Sequence, residues 1–353
     1  MRVGLDATPL LGARTGVGRY TLSLLQALTS YDDELVATAF TFRGRSALGP
    51  VMPAGVQVSA RPAPARVLQA LWAKGSWPPV ELLSGSVDVF HATNFVLPPL
   101  RRARGVVTIH DLSYLHHTDT VSSASARYRS LVPRSLARSS VVVTPSAVTA
   151  ALVQDAYDVQ VPVVVTPLGV DEAWFSAAAP SVELRASLGL PSSYIVFVGS
   201  LEPRKDLRTL LAAHARVPDA PALVLIGPAG WGEQVDVSRC ITPGYLEDER
   251  LRSVVAGAAA LVLPSLDEGF GIPVIEALAA GVPVVASDLP VLREVGGDVT
   301  TYAVPGDPES FAAALSSVLS APGDASARRA HARGFTWQRC AELTRAAYHQ
   351  ACA

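Results

Sequence analysis

Short apolar runs alternate with stretches of helical spacing along the whole chain. Arg2 to Asp6, Leu35 to Phe40, Val56 to Ala60, Val87 to His91, Val106 to His110, Val141 to Thr144 and Val163 to Thr166 read as buried strands. After the first of them, Arg19 to Leu28 puts Tyr20, Leu24, Leu25 and Leu28 on one helical face. Pro167 to Pro180 reads as a linker, with a short helix from Val182 to Leu188 behind it. A clean strand, Tyr194 to Val198, then restarts the pattern and marks a second domain. There the expected order is a helix through about His214, a strand from Leu223 to Gly227, a segment from Ile241 to Leu246, and a helix from about Glu247. Ala260 to Leu263 is a further strand end and Val282 to Ala286 a buried strand. Asp298 to Val304 is a short strand, Phe311 to Leu319 is amphipathic, and Phe335 to Ala351 is a last helix. Strands alternating with helices argue an α/β class, with parallel sheets covered on both faces.

A chain of 353 residues with 49% hydrophobic content can bury two cores of ordinary size. Its 29 basic and 31 acidic residues nearly balance, so no nucleic-acid partner is expected. Cys240, Cys340 and Cys352 lack metal or redox spacing and suit a reducing cytoplasm. Met1-Arg2 opens without a secretory signal pattern, and no apolar run approaches the ~20 residues of a membrane span.

The densest chemistry lies between Leu263 and Asp288. Pro264 to Ile272 is a loop carrying Glu268, Gly269, Phe270 and Gly271, and Pro273 suits the first turn of a helix. Gly281 suits a left-handed cap at its end. The first turn of a helix has free N–H groups and a partial positive charge. Gly269 and Gly271 leave those donors open to an anion. Glu268 and Glu276 cannot bind the same anion, but they can hold hydroxyls. A sugar nucleotide asks for both functions. The plainer alternative is two solvated acids beside glycines that only turn the chain.

Glu268 and Glu276, with seven residues between them, Gly269-Phe270-Gly271 and Pro273 resemble the E-x7-E motif of retaining GT-B glycosyltransferases, in particular family GT4. The resemblance covers nearly the full chain and is strongest from Tyr194 to Gly306. It implies a GT-B fold, two Rossmann-like domains facing across a cleft. Residues 1–172 would form the acceptor-side domain, 173–334 the nucleotide-sugar domain, and 335–353 a helix crossing back to the first. Glu276 would bind ribose, and Glu268, with Gly269 to Ile272, the donor sugar and phosphates. Gly244, Tyr245 and Leu246 would edge the nucleotide base.

Gly199 to Asp206 follows a strand and precedes a helix, and it carries Arg204 and Lys205. Two cations there can neutralise a diphosphate. Lys205 matches the family lysine, while Ser200 stands where the family often has arginine. Either Arg204 substitutes or the phosphate is held by one cation fewer. The loop from Gly12 to Gly18 is a glycine-rich turn between strand and helix, although Thr21 fills the third glycine position of a dinucleotide fingerprint. By resemblance, Gly16, Val17, Gly18 and Arg19 lie near donor phosphates and acceptor.

His110 and Asp111 end a strand, where ligands of such sheets bind. His110 either meets a sugar hydroxyl or departing phosphate, or simply holds the next turn. The resemblance sets it against the donor sugar. His91 to Asn94 ends another strand and is equally open to lining the cleft or to a structural role, whereas His116-His117 reads as surface. Arg127, Arg134 and Arg138 share a helical face, and Arg101, Arg102 and Arg104 form a second cluster. A basic face suits peripheral contact with anionic membrane, a phosphorylated acceptor, or solvent alone.

The resemblance implies transfer of a hexosyl unit from a nucleotide diphosphate sugar to a hydroxyl of a glycan, lipid-linked or small-molecule acceptor. Anomeric configuration would be retained, by a same-face mechanism, without metal or resident cofactor. The strings at 202–206 and 227–231 look most like GDP-mannose-dependent mannosyltransferases of polysaccharide biosynthesis. A GT-B nucleotide-sugar epimerase, a non-catalytic nucleotide-sugar-binding protein and an NAD-dependent dehydrogenase are the rival readings. The cytoplasm, at the inner face of the membrane where the basic face meets lipid, is the expected location.

Overall fold

A computed structural model describes residues 1–11, 16–42, 44–59, 61–116, 127–231 and 235–353. Gly12, the start of the glycine loop, and His117 lie outside the described residues. The chain forms two units, Met1–Gly169 with Trp337–Ala353, and Val170–Thr336.

In the first unit the strands are β1 Arg2–Asp6, β2 Glu34–Thr38, β3 Gln57–Val58, β4 Val89–Ala92, β5 Arg104–Thr108, β6 Val141–Thr144 and β7 Val163–Val165. They pair in the order β3-β2-β1-β4-β5-β6-β7, and every pairing is parallel. β4 (Val-Phe-His-Ala) and β6 (Val-Val-Val-Thr) are buried at every position, which is why three of the four residues in each are apolar. Strand order reverses between β1 and β4, so chain leaves their carboxyl ends in opposite directions and opens a crevice there.

Two boundaries differ from the expectation. The first helix is Gly16–Leu28, so Gly16, Val17 and Gly18 form its first turn rather than a loop. Gly18 is buried, and the Thr21 hydroxyl donates to the Val17 carbonyl 2.9 Å away, closing that turn. β2 ends at Thr38, short of Phe40, whose ring packs edge-on against Trp72 with centroids 5.1 Å apart.

The Trp337–Cys352 helix belongs to this unit and is tied to it by polar contacts. Tyr348 Oη and His91 Nδ1 are 2.7 Å apart, and His91 Nε2 lies 2.7 Å from Thr108 Oγ1. Tyr20 Oη reaches the same threonine oxygen at 2.9 Å. Arg345 Nε donates to Asp33 Oδ2 at 2.6 Å.

The second unit holds β8 Tyr194–Val198, β9 Ala222–Ile226, β10 Ile241–Gly244, β11 Ala260–Leu263, β12 Val284–Ser287 and β13 Thr301–Ala303. Their order is β10-β9-β8-β11-β12-β13, again parallel throughout. The winding repeats that of the first unit, and here order reverses between β8 and β11. The expected strand from Asp298 is shorter because Gly297–Val299 is a 3-10 turn, held by the Tyr302 hydroxyl donating to the Gly297 carbonyl at 2.8 Å.

Between β11 and β12 runs the Ile272–Ala280 helix. Gly271 opens it at φ 95° and Gly281 closes it at φ 82°, both left-handed conformations that favour glycine. Its last carbonyls are capped by a helix without an apolar stripe legible in the sequence, Ala325–Ala332. From there Arg329 Nη2 donates to the Ala280 carbonyl and Arg328 Nε to the Gly281 carbonyl, both at 2.9 Å. Among the described residues no helix is long and apolar enough to cross a membrane.

Candidate active site

The crevice between β8 and β11 is walled by the turn after one strand and the loop after the other. Pro203–Lys205 is a 3-10 turn. Asp206, at φ 45°, then caps the Leu207–His214 helix by accepting the Thr209 N–H at 3.3 Å. From this turn Lys205 Nζ donates to Glu268 Oε1 at 2.5 Å, and Ser265 Oγ donates to the same oxygen at 2.7 Å. The walls are also joined through backbone, since Leu266 N–H donates to the Arg204 carbonyl at 2.9 Å.

Arg204 holds the two walls together. Its guanidinium donates to Glu202 Oε1 at 2.8 Å, to the Asp267 carbonyl at 2.6 Å and to Glu268 Oε2 at 3.4 Å. The sequence suggested that Arg204 and Lys205 face a diphosphate while Glu268 faces sugar hydroxyls. In this structure both cations are bonded to Glu268. Arg204 is the more committed cation, because its donors are spread over three partners on the two walls.

Burial alone would raise the Glu268 carboxyl, but the charges of Lys205 and Arg204 outweigh it and hold the group at about 2. Burial pulls the Lys205 ammonium down, and Glu268 opposes that pull. Glu268 is therefore ionised at neutral pH, and its contact with the Lys205 amine is kept from water by side chains only 10% and 8% exposed. A carboxylate has about four lone-pair positions. Glu268 thus keeps acceptor capacity for a ligand while paired.

The Ile272–Ala280 helix begins directly after this loop, so its first N–H groups and positive end lie beside the pair. Gly271 is required there twice over. Its φ is left-handed, and a Cβ would stand 2.6 Å from Leu292 Cδ2. Gly269 is buried, Ile272 opens the helix, and Glu276 is buried on its fifth position. The Phe270 ring is buried and packs edge-on to Phe335, centroids 5.9 Å apart, which anchors the loop.

Gly244 ends β10 at φ 76°, and a Cβ there would meet nothing within 4 Å, so open space adjoins this backbone. Tyr245 is exposed beside it and Leu246 is buried. Gly227 shows why the 227–231 string is glycine-rich: a Cβ would stand 2.0 Å from the Gly199 carbonyl oxygen.

In the first unit, His110 lies two residues beyond β5, buried, with Nε2 2.8 Å from the Thr93 carbonyl. A carbonyl only accepts, so Nε2 carries the proton and neutral Nδ1 is an acceptor. Burial lowers the His110 pKa, which favours that neutral form. Asp111 Oδ1 accepts from the Ser113 N–H at 3.0 Å and the Ser113 hydroxyl at 2.7 Å, fixing the turn behind His110. Asn94 is partly buried after β4 and bonds Tyr128. Arg19, on the first helix, is half-buried and Gly16 is exposed.

The structure bears on two readings that the sequence left open. His91 is fully buried between Tyr348 and Thr108, with burial pulling its pKa to about 3, so it is a neutral core residue. Arg138 donates to the Gly75 carbonyl at 2.8 Å and the Trp72 carbonyl at 3.1 Å, which takes it out of the proposed basic face. Arg127 and Arg134 remain exposed. Ser265 and Glu202 were not singled out from sequence, although Ser265 lies three residues before Glu268, within one loop's reach. Among the described residues no group of three or more His, Cys, Asp or Glu is arranged to hold a metal ion.

Known proteins place this architecture in a family. The family described as Glycosyltransferase Family 4 matches residues 14–174, and that described as Glycosyl transferases group 1 matches residues 192–321. The chain is 30% identical over 285 residues to the O-antigen chain mannosyltransferase B of Escherichia coli, covering 74% of each protein. It is 34% identical over 206 residues to the MMP α-(1→4)-mannosyltransferase of Mycolicibacterium hassiacum, covering 54% of this chain and 48% of that one. Its fold matches sucrose-phosphate synthase from Thermosynechococcus elongatus with a TM-score of 0.77 at 19% identity, covering 99% of this chain and 98% of that one. The Anabaena protein HepE, in complex with UDP and glucose, matches with a TM-score of 0.72 at 19% identity, each chain 98% covered. With a family 4 profile on its first unit, a group 1 profile on its second and a mannosyltransferase relative spanning both, the chain belongs to the GT4 family of GT-B glycosyltransferases and is a mannosyltransferase-like hexosyltransferase.

Proposed function

We propose that the chain moves a hexosyl unit, mannose foremost, from a nucleotide diphosphate sugar to a hydroxyl of a glycan, glycolipid or small molecule, with retention of configuration. The observation that carries this reading is the buried Lys205–Glu268 pair beside the start of the Ile272–Ala280 helix. A diphosphate entering the crevice meets the helix N–H groups and Lys205, and Glu268 turns its acceptor oxygens to sugar hydroxyls. Glu276 clasps the ribose. As the bond from sugar C1 to phosphate oxygen breaks, charge gathers on the leaving phosphate, where Lys205 and the helix start stabilise it. That phosphate takes the acceptor hydroxyl's proton while the acceptor oxygen bonds C1 from the same face. The charge is met by protein groups, so transfer needs no divalent cation and persists in excess chelator. In the first unit, His110 offers Nδ1 to a sugar hydroxyl.

The two mannosyltransferase names among the relatives support mannose, and the O-antigen name supports a glycan acceptor. HepE, described with UDP and glucose, supports a nucleotide diphosphate donor. Contact with an anionic membrane at the cytoplasmic face rests on Arg127 and Arg134. A thermal-shift panel of GDP, UDP, dTDP and ADP tests the donor. A ligand at a hundredfold excess over its Kd adds about 2.7 kcal/mol of stability. GDP is expected to shift the melting point most. A shift with UDP or dTDP and none with GDP overturns mannose from GDP-mannose, and no shift with any of the four overturns the nucleotide-sugar reading.

A further inference from the structure

The first sheet is wound like the second, so it has its own crevice where order reverses, between β1 and β4. A cavity of about 130 Å³ lies at that crevice. In a measure where one water takes about 10–15 Å³, this holds on the order of ten waters, room for one sugar ring. Asp6 ends β1 at the cavity wall, Asn94 follows β4, and Gln69 comes from the Ala65–Trp72 helix. Trp72, Tyr128 and Phe40 supply the aromatic wall.

Asp6, Trp72, Tyr128 and Asn94 are held in place. Asp6 Oδ1 accepts the Thr8 N–H at 2.9 Å, and the Thr8 hydroxyl in turn accepts the Phe40 N–H at 3.0 Å. Trp72 Nε1 is spent on the Pro78 carbonyl at 3.0 Å, so the indole meets the cavity as hydrocarbon surface. Tyr128 bonds Asn94 and lies against Phe95, centroids 4.6 Å apart. Among the described residues no Lys or Arg lines the cavity.

That combination selects a ligand class. Aromatic faces carry a negative quadrupole that suits the weakly positive C–H face of a pyranose. A carboxylate and two amides accept from and donate to its hydroxyls. A phosphate asks for cations and would be repelled by Asp6. We infer that this cavity is a subsite for an uncharged sugar ring of the acceptor, held by Asp6, Gln69 and Asn94 against Trp72 and Tyr128, and closed to rings bearing phosphate. The inference rests on the glycosyl-transfer reading and adds the chemistry of the acceptor to it. Burial raises the Asp6 carboxyl to about 6, so at neutral pH it is largely ionised and accepts from hydroxyls.

The test uses the full chain with methyl α-mannopyranoside, methyl α-glucopyranoside and methyl α-galactopyranoside as neutral probes and mannose 6-phosphate as the charged one. Binding is read by saturation-transfer NMR titration, and the thermal shift with nucleotides is read in parallel. At least one neutral glycoside is expected to bind, with mannose 6-phosphate weaker by about tenfold or more. Asp6→Asn and Gln69→Ala should each weaken the neutral probe about tenfold while keeping the wild-type nucleotide shift. Gln69 is only partly buried, so its variant remains informative if the Asp6 variant fails to fold. No binding of any neutral glycoside, equal binding of mannose 6-phosphate, or unchanged affinity in both variants overturns the inference. A wild-type protein with no nucleotide shift would strike the donor reading alone.

Discussion

Lys205 Nζ lies 2.5 Å from Glu268 Oε1, although 63 residues separate them along the chain. The contact joins the turn after β8 to the loop after β11, the two walls of the crevice in the second sheet. It places opposite charges, both shielded from water, at the spot where a donor phosphate would add a third.

Removing one partner should leave the other buried and unpaired. Lys205→Met or Glu268→Gln alone is expected to cost about 3–5 kcal/mol of stability. The double variant should cost less than the sum, since the residues share one interaction. Chemical denaturation of the four proteins measures this coupling, and strict additivity would contradict it. The acid arm follows as well. Glu268 titrates at about 2 when folded against an ordinary 4.5, so its contribution is present above about pH 4.5 and lost as pH falls toward 2. Glu268→Gln should flatten that part of the stability profile.

Glu276 is buried on the Ile272–Ala280 helix, past the N–H groups assigned to phosphate. If it holds ribose, Glu276→Ala loses a charge-assisted hydrogen bond, about 1.5–3 kcal/mol, and a nucleoside diphosphate should bind over tenfold more weakly. Inorganic pyrophosphate, which has no ribose, should bind as it does to the wild type. Calorimetry with both ligands decides the point, and equal losses for the two would remove Glu276 from the ribose.

His91 makes a pH prediction of its own. Its folded pKa is held near 3 by burial, against 6.5 for an open histidine. Below about pH 6.5 the unfolded chain takes up a proton that the folded chain refuses, so stability falls as pH drops from 6.5 toward 3. His91→Gln should reduce that slope, leaving the part that buried His110 contributes in the same direction, while costing about 1–3 kcal/mol at neutral pH through the bonds of His91 to Tyr348 and Thr108. Thermal melts between pH 4 and 7 measure it, and an unchanged slope in the variant would exclude His91 as its source.

Much of this was legible because local chemistry announces itself locally. The Gly271 and Gly281 caps, Pro273 in the first turn and the apolar runs of β1, β6, β8 and β11 follow from residues within a few positions of one another. The winding of the sheets came from resemblance, because strand order leaves no mark in a strand's own residues. What stayed hidden was pairing at a distance. Arg138 reads as a surface cation until Trp72 and Gly75 carbonyls appear beside it, 66 and 63 residues away. His91 reads equally as cleft or core until a tyrosine 257 residues later closes over it. The Ala325–Ala332 helix was missed because its charged residues cap another helix rather than stripe its own surface.

The most direct test of the transferase account is the stereochemistry of donor cleavage, followed by proton NMR. GDP-mannose, UDP-glucose, UDP-N-acetylglucosamine and dTDP-rhamnose are each incubated with the protein and a pool of methyl glycoside acceptors, and the anomeric signal of the first-formed product is read. The account predicts that one donor releases its nucleoside diphosphate and that the new glycoside keeps the donor's anomeric configuration. An inverted product, or four donors left intact by a protein that binds their nucleotides, would contradict it.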